Sequence, residues 1–256
     1  MHMKIKKRYL TLLVIGVLLV SSTLGAATLA EGQAMLADID NLSNLGGKDF
    51  SALMTMISED PETGIEKTKV LQFRSDDDDK FLLLIKEPVV KKGQGYLMID
   101  DNLWFYDPES RKFSHTSMKD QFNQSDANNS DFNSSSLAND YKVVSIEDGK
   151  LGNFSVYILV IEALNNEVTY PKRKLWVTRE NTLVLKSEDY SASGRLMRTS
   201  YYPFYTKSEG NYIPTKMIFV DELIAGKKTT ISISDISFKD IADSVFTKSY
   251  VERVNN

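Results

Sequence analysis

The sequence has no cysteine and only two histidines, His2 and His115. Without thiols it can form no disulfide, thiolate zinc site, thiol nucleophile or lipid-modified cysteine. His2 lies in a segment expected to be removed, and one remaining histidine cannot build the clusters of common zinc sites. Any Ser/His/Asp chemistry would rest on His115 alone, and triad members meet through the fold rather than through adjacency. No Lys/Arg run exceeds Lys6-Lys7-Arg8, and the net charge is −4, so the composition points away from nucleic acid. Beyond the N-terminus no apolar run is long enough to span a bilayer.

The N-terminus reads as an export signal. Lys4, Lys6, Lys7 and Arg8 form a positive region, residues 10–20 an apolar core, and Ser21, Ser22, Gly25, Ala26 and Ala27 a small-residue cleavage site. The apolar core falls short of the roughly 20 residues of a membrane span. Residues 1–27 are therefore expected to be a cleaved signal peptide. Residues 28–256 are expected to form a single exported domain, soluble outside the inner membrane.

Met35, Leu36, Ile39, Leu42 and Leu45 recur at helical spacing, and Gly46-Gly47 follows as a helix stop. After that the pattern is almost unbroken β. Residues 50–58 alternate with apolar residues on both faces, and a turn at 59–64 leads into a strand at 66–74. Residues 81–85 are apolar at every position, as in a strand covered on both sides. Asp76-Asp77-Asp78-Asp79-Lys80 lacks the alternating ligands, central Gly and terminal Glu of a calcium loop and reads as a solvated turn. Gly93-Gln94-Gly95 lacks the third Gly and following helix of a dinucleotide fingerprint, so it too reads as a turn.

Residues 96–99 and 103–106 form a predicted hairpin, with Trp104 and Tyr106 on one face. From 117 to 139 the chain turns to Ser, Asn, Asp and Gln. A loop this long inside a compact domain is usually functional or disordered, and here it reads as a lid pinned at Phe132 and Leu137. Later strands include 141–147 and 154–163, joined across Asp148-Gly149-Lys150, then 172–178 and 183–190. In the last strand Ile231 and Ile233 are in phase and Ile236 and Phe238 one residue out, which predicts a β-bulge near Ser234-Asp235. The tail, 241–254, is expected to pack on a sheet edge. Regularly spaced strands with turn signals indicate a sandwich or barrel-like sheet rather than βαβ units.

No pair of carboxylates stands out for hydrolysis, no cofactor motif is present, and the expectation is a protein without enzymatic activity. Strands apolar on both faces, with recurrent Met and aromatic residues, fit an adaptable apolar wall. A curved sheet with a helix against it can hold a cavity. A filled core remains the alternative reading of the same residues.

The ordered residues also carry a resemblance. Phe50 with Met54 and Met56, Ile85 with Pro88, Lys92-Gly93 with Gly95-Tyr96-Leu97, and Leu103-Trp104-Phe105-Tyr106 with Pro108 and Lys112 come first. Then follow Ser130-Asp131-Phe132 with Leu137, Lys174-Leu175-Trp176-Val177, Tyr212 with Pro214-Thr215, Ile233 with Asp235-Ile236, and Phe246 with Tyr250-Val251-Glu252-Arg253. In this order the chain resembles the periplasmic outer-membrane lipoprotein-sorting proteins, the LolA-like family. It departs from the pattern in a longer, more polar segment at 117–129, and Ser136 stands where an acidic residue is usual.

The resemblance implies a mainly β fold: an incomplete, open antiparallel β-barrel or strongly curved sheet with packing helices and a lid loop over a hydrophobic cavity. It implies a monomeric periplasmic carrier that shields acyl chains of lipoproteins or other lipids for transfer toward the outer membrane. An inner-membrane transporter and an outer-membrane acceptor would be its partners. The alternative is a non-enzymatic binding module that docks on an inner-membrane exporter or envelope complex. The residues expected to line the lipid cavity are Met54, Met56, Phe73, Leu84, Trp104, Tyr106 and Phe132. Aspartate at Trp104 or Phe132 is expected to weaken lipid binding.

Overall fold

The computed structural model describes residues 27–75, 80–99 and 102–254. Residues 1–26 of the expected signal peptide and 76–79 of the expected solvated turn lie outside the described residues. A helix, α1 (Leu29–Ser43), opens the fold. Thr28 caps it, accepting from the Glu31 amide while the Glu31 carboxylate accepts from the Thr28 amide. This reciprocal cap satisfies donors that a first helical turn otherwise leaves open. The helix stops where Leu45, Gly46 and Gly47 take φ of 52°, 67° and 74°.

Six strands follow: β1 (Phe50–Asp60), β2 (Gly64–Ser75), β3 (Lys80–Glu87), β4 (Gly95–Ile99), β5 (Asn102–Asp107) and β6 (Lys112–His115). The chain then crosses through residues 116–136 to a short helix, α2 (Leu137–Asp140). Seven more strands return: β7 (Tyr141–Leu151), β8 (Phe154–Ala163), β9 (Lys172–Thr178), β10 (Val184–Tyr190), β11 (Leu196–Ser208), β12 (Asn211–Asp221) and β13 (Lys228–Ser237). A final helix, α3 (Lys248–Arg253), ends the described chain. No helix among the described residues is long and apolar enough to cross a membrane.

All thirteen strands belong to one antiparallel sheet in the order β6-β5-β4-β3-β2-β1-β13-β12-β11-β10-β9-β8-β7. The chain steps outward from β1 to one edge, crosses to the opposite edge, and steps back until β13 pairs with β1. The sheet is open: β6 and β7 are its free edges, and residues 116–136 join them. This is the mainly β, unclosed, curved architecture that the resemblance implies, with helices packed on it.

The alternation of side chains in a strand explains the two layers of core. On the inner face Met54, Met56, Val70, Phe81, Leu83, Ile85, Tyr96, Met98 and Leu103 close around Phe122, Ala127 and Phe132 of the crossing segment. On the outer face Leu82, Leu84, Leu97 and Tyr106 pack against Phe246 and Val251. The C-terminal tail thus covers a sheet face, not an edge as expected, because β3 and β4 carry apolar residues outward that need a second layer. Gly95 permits the close approach, since a Cβ there would stand 3.3 Å from Val251 Cγ1.

Two other local readings are decided by the same sterics. The bulge in β13 is present: Leu53 faces Ser234 while Ser51 faces Ser237, and Asp235 takes a φ of 53°. The turn expected at Asp148-Gly149-Lys150 is instead continuous strand, and the chain reverses at Gly152, where φ is 58°. Gly149 is needed in the strand itself, because a Cβ would fall 2.5 Å from Ile158 Cδ1.

Candidate functional site: a lidded cavity

Helix α1 lies over the inner face of β7 to β9. Its Leu36 and Ile39 pack with Leu137, Tyr141, Val143, Leu159, Ile161 and Leu175. Gln33 fixes the approach. Its Nε2 donates to the carbonyls of Ala138 and Tyr141 at 3.2 and 3.0 Å, and its Oε1 accepts from the Val143 amide at 3.0 Å. Asp40 does the same for α2, accepting from the amides of Leu137 and Ala138 at 2.9 and 2.8 Å and from the Ser135 hydroxyl at 2.5 Å. Amides left open at a helix start are satisfied by such carboxylates.

The crossing segment fills the inner face at the β2 to β5 side. Phe122 is fully buried between Tyr96 and Phe132, with ring centroids 4.6 and 5.0 Å away. Polar residues follow it inside: Ser125, Asp126, Asn128 and Asn129 are all buried. Asn123 Nδ2 donates to Thr68 Oγ1 at 3.2 Å, Asn128 Nδ2 to the Tyr170 hydroxyl at 3.0 Å, and Thr229 Oγ1 to Asp126 Oδ2 at 2.8 Å. Burial pushes the Asp126 carboxyl above the ordinary aspartate value, with the Thr229 hydrogen bond opposing it.

Beyond this plug the inner space is not filled. A cavity of about 600 Å³ lies between α1, residues 130–137 and the inner faces of β1, β2 and β9 to β13. Ile39, Leu42, Leu45, Phe50, Met54, Leu175, Leu183, Val184, Ile213, Met217 and Ile233 give it an apolar wall. Its polar side carries Arg74, Arg173, Arg198, Tyr170, Tyr202 and Tyr205, and the carboxylates of Asp131, Asp140 and Glu167 also line it. Its volume sits within the range of about 300–1,000 Å³ typical of sites that enclose small ligands.

A buried ionic network holds the roof of this cavity to its wall. Arg198 on β11 donates from Nε to Asp189 Oδ2 at 3.0 Å and from its two terminal nitrogens to both oxygens of Asp131 at 2.5 and 3.0 Å. Asp189 on β10 is fully buried, and its second oxygen accepts from Arg173 Nε on β9 at 2.7 Å. The Arg198 guanidinium also lies 4.9 Å from the Tyr170 ring centroid and 4.8 Å from that of Phe219. Burial alone would push the Asp189 carboxyl up. Arg173 and then Arg198 outweigh it and hold it below the ordinary aspartate value. Among the described residues no group of three or more His, Asp or Glu is placed to hold a metal ion.

The seven residues singled out from sequence fall in three places. Met54 and Phe132 line the cavity. Met56 shares the inner face of β1 but is enclosed in the core around Val70 and Phe81. Phe73, Leu84 and Tyr106 belong to the outer-face cluster with Phe246 and Val251. Trp104 also faces outward: Lys248 Nζ lies 3.1 Å from its ring centroid and His115 stacks at 3.6 Å. The structure therefore brings Met54 and Phe132 together at the cavity and separates the others from it. Sequence reasoning did not find Arg173, Asp189, Arg198 or Tyr202. The in-phase polar residues Ser187 and Asp189 on β10 are the one local signal that part of the inner face is polar.

A family model described as "Uncharacterized protein" matches residues 77–253, more than half of the chain. The chain belongs to that family. Its fold is LolA-like: the LolA superfamily protein NE2245 from Nitrosomonas europaea is 26% identical, with a TM-score of 0.74 over 85% of this chain and 98% of that one. A Vibrio parahaemolyticus domain designated an outer membrane lipoprotein-sorting protein gives 20% identity and a TM-score of 0.78 over 88% of this chain and 100% of its own. A DUF1329 family protein from Desulfovibrio piger gives 19% and 0.79 over 87% and 98%. No curated protein matches the sequence. In this LolA-like chain the open sheet, the helix α1 and the crossing segment together border the cavity.

Proposed function

We propose that the protein is a periplasmic carrier that shields an acyl chain in this cavity for transfer between membranes, with residues 116–136 as its lid. The observation that carries the reading is the cavity itself: an unfilled space of about 600 Å³ with an apolar wall inside a LolA-like sheet. Leaving so much apolar wall without partner atoms is costly to a core, since interiors otherwise pack like organic crystals. An apolar ligand offsets that cost, and each methylene withdrawn from water contributes about 0.8 kcal/mol.

The remaining parts of the reading follow from this function. Residues 1–27 act as the export signal and 28–256 as one carrier domain. The carrier works as a monomer, without catalytic machinery or cofactor, taking its cargo at an inner-membrane transporter and yielding it to an outer-membrane acceptor. Release requires a lid whose closure is only modestly favoured. A module that merely docks on an envelope complex would have no need of the cavity.

Native mass spectrometry of the mature protein purified from a bacterial envelope tests the proposal. A co-purified mass that dissociates as lipid or acylated peptide is the expected result. A bare protein mass, together with no uptake of a fluorescent fatty-acid probe, would overturn it.

A further inference from the structure

The cavity has an apolar wall and a polar side, and one corner of the polar side stands out. Arg173 and Tyr202 both line it. Arg173 has five N–H donors; its Nε donates to Asp189 Oδ1 at 2.7 Å, and its guanidinium also hydrogen-bonds the Tyr141 hydroxyl. That carboxylate is shared, because its other oxygen takes Arg198 Nε. Arg198 has a second carboxylate of its own, gripped at both oxygens, and also donates to the Asp126 carbonyl at 3.3 Å. Arg198 thus spends four of its five N–H donors, whereas Arg173 keeps more of its own for a ligand.

The phenols around Arg173 sharpen the asymmetry. Tyr141 and Tyr202 both stand close enough to interact with it electrostatically. The Tyr141 hydroxyl already donates to the Tyr170 carbonyl at 2.9 Å, and Tyr205 donates to the Val184 carbonyl at 2.7 Å. The Tyr202 hydroxyl makes no hydrogen bond among the described residues. Burial pushes the Tyr202 phenol above its ordinary value, so it remains an O–H donor. The corner therefore presents donors in excess of acceptors, on rigid strands, on the polar side of the cavity.

Resting on the carrier reading above, we propose that Arg173 and Tyr202 bind the acidic head of a single-chain amphiphile, a long-chain fatty acid, whose hydrocarbon chain lies along Met54, Ile213, Met217 and Ile233. A carboxylate supplies the acceptors that the guanidinium and the phenol lack, and Arg pairs with it in a matched planar geometry. The volume fits one drug-sized ligand. The occupant of a cavity of this size is thus a fatty acid, and a multiply acylated anchor would need the lid to open further.

The test compares ligands of one chain length with different heads. Dodecanoate and 1-dodecanol are titrated into the purified protein by displacement of a fluorescent acyl probe. The expected result is that the acid binds about tenfold or more tightly than the alcohol, a difference of about 1.4 kcal/mol. In Arg173→Met and in Tyr202→Phe the ratio of acid to alcohol affinity should fall toward one. Tyr202→Phe removes a single hydroxyl that makes no hydrogen bond among the described residues, so it carries the test should Arg173→Met not fold. Equal affinity for acid and alcohol in the wild-type protein would overturn the head site while leaving the carrier reading in place. Binding of neither would overturn both.

Discussion

Arg198 on β11 holds Asp131 of the crossing segment through both terminal nitrogens, at 2.5 and 3.0 Å. Asp131 also accepts from the Asn128 amide at 2.7 Å, so one carboxylate both shapes the segment and fastens it to the sheet. Losing one partner of a buried ion pair leaves an uncompensated charge, at a cost of about 3–5 kcal/mol. Asp131→Asn keeps the side chain's shape and removes the charge. Amide hydrogen exchange across 116–136 should then accelerate strongly, while β1 to β3 exchange as before. Unchanged exchange in the segment would show that its apolar anchors Phe122 and Phe132 hold it without the ion pair.

Asp189 sits between two arginines, and its pH dependence has a definite sign. Its folded value is depressed below the ordinary carboxylate value by Arg173 and Arg198, against the opposing effect of burial. Stability from this group is therefore complete above the unfolded value, about 3.9. It is lost as pH falls through the lower folded value. Urea unfolding of the wild type should show stability falling below about pH 4. Asp189→Asn should lose about 3–5 kcal/mol at pH 7, and its acid limb should be flatter. Parallel acid limbs in the two proteins would remove Asp189 as the source.

Asp126 has the opposite sign. Burial raises its carboxyl, and only one of its oxygens has a partner, Thr229. Its ionised form is thus less favourable in the folded chain than in the unfolded one. The penalty is complete above the folded value, fades as pH falls from there toward the unfolded one, and is gone below it. Asp126→Asn should raise Tm by a few degrees at pH 7, and the gain should shrink as the pH approaches 4. A lower Tm at pH 7 would show that the carboxylate is needed in its charged form.

The β architecture was legible because period and sterics are local. The phase slip between Ile233 and Ile236 announced the bulge that Asp235 makes, and the apolar run at 81–85 announced a strand covered on both sides. The inward face of each strand was not legible where both faces are apolar. Leu103 and Phe105 turn inward on β5 and Trp104 and Tyr106 outward, yet either set could serve as core. The ionic network was hidden for another reason. Asp131, Arg173, Asp189 and Arg198 come from the crossing segment, β9, β10 and β11, and only the antiparallel pairing of those strands brings them together. Gly149 shows the same limit at small scale: it looks like a turn residue, but its lack of a Cβ answers Ile158 on the neighbouring strand.

The placement of Trp104 changes what a mutation there should do. Its ring lies on the outer face against His115 and under Lys248, away from the cavity, whereas Ile233 lies on the cavity wall. Trp104→Ala should lower stability through lost packing, by no more than the 3–5 kcal/mol or so of a fully buried aromatic, and leave uptake of a fluorescent acyl probe intact. Ile233→Trp should act in reverse. The larger ring has open volume to enter, so stability should change by less than the roughly 1–3 kcal/mol of overpacking a filled core. Probe uptake should fall, because the ring occupies space the acyl chain needs. Measured side by side, uptake and thermal stability separate the two faces of the sheet. Loss of uptake in Trp104→Ala with normal uptake in Ile233→Trp would place the acyl chain outside the cavity, on the surface beneath α3.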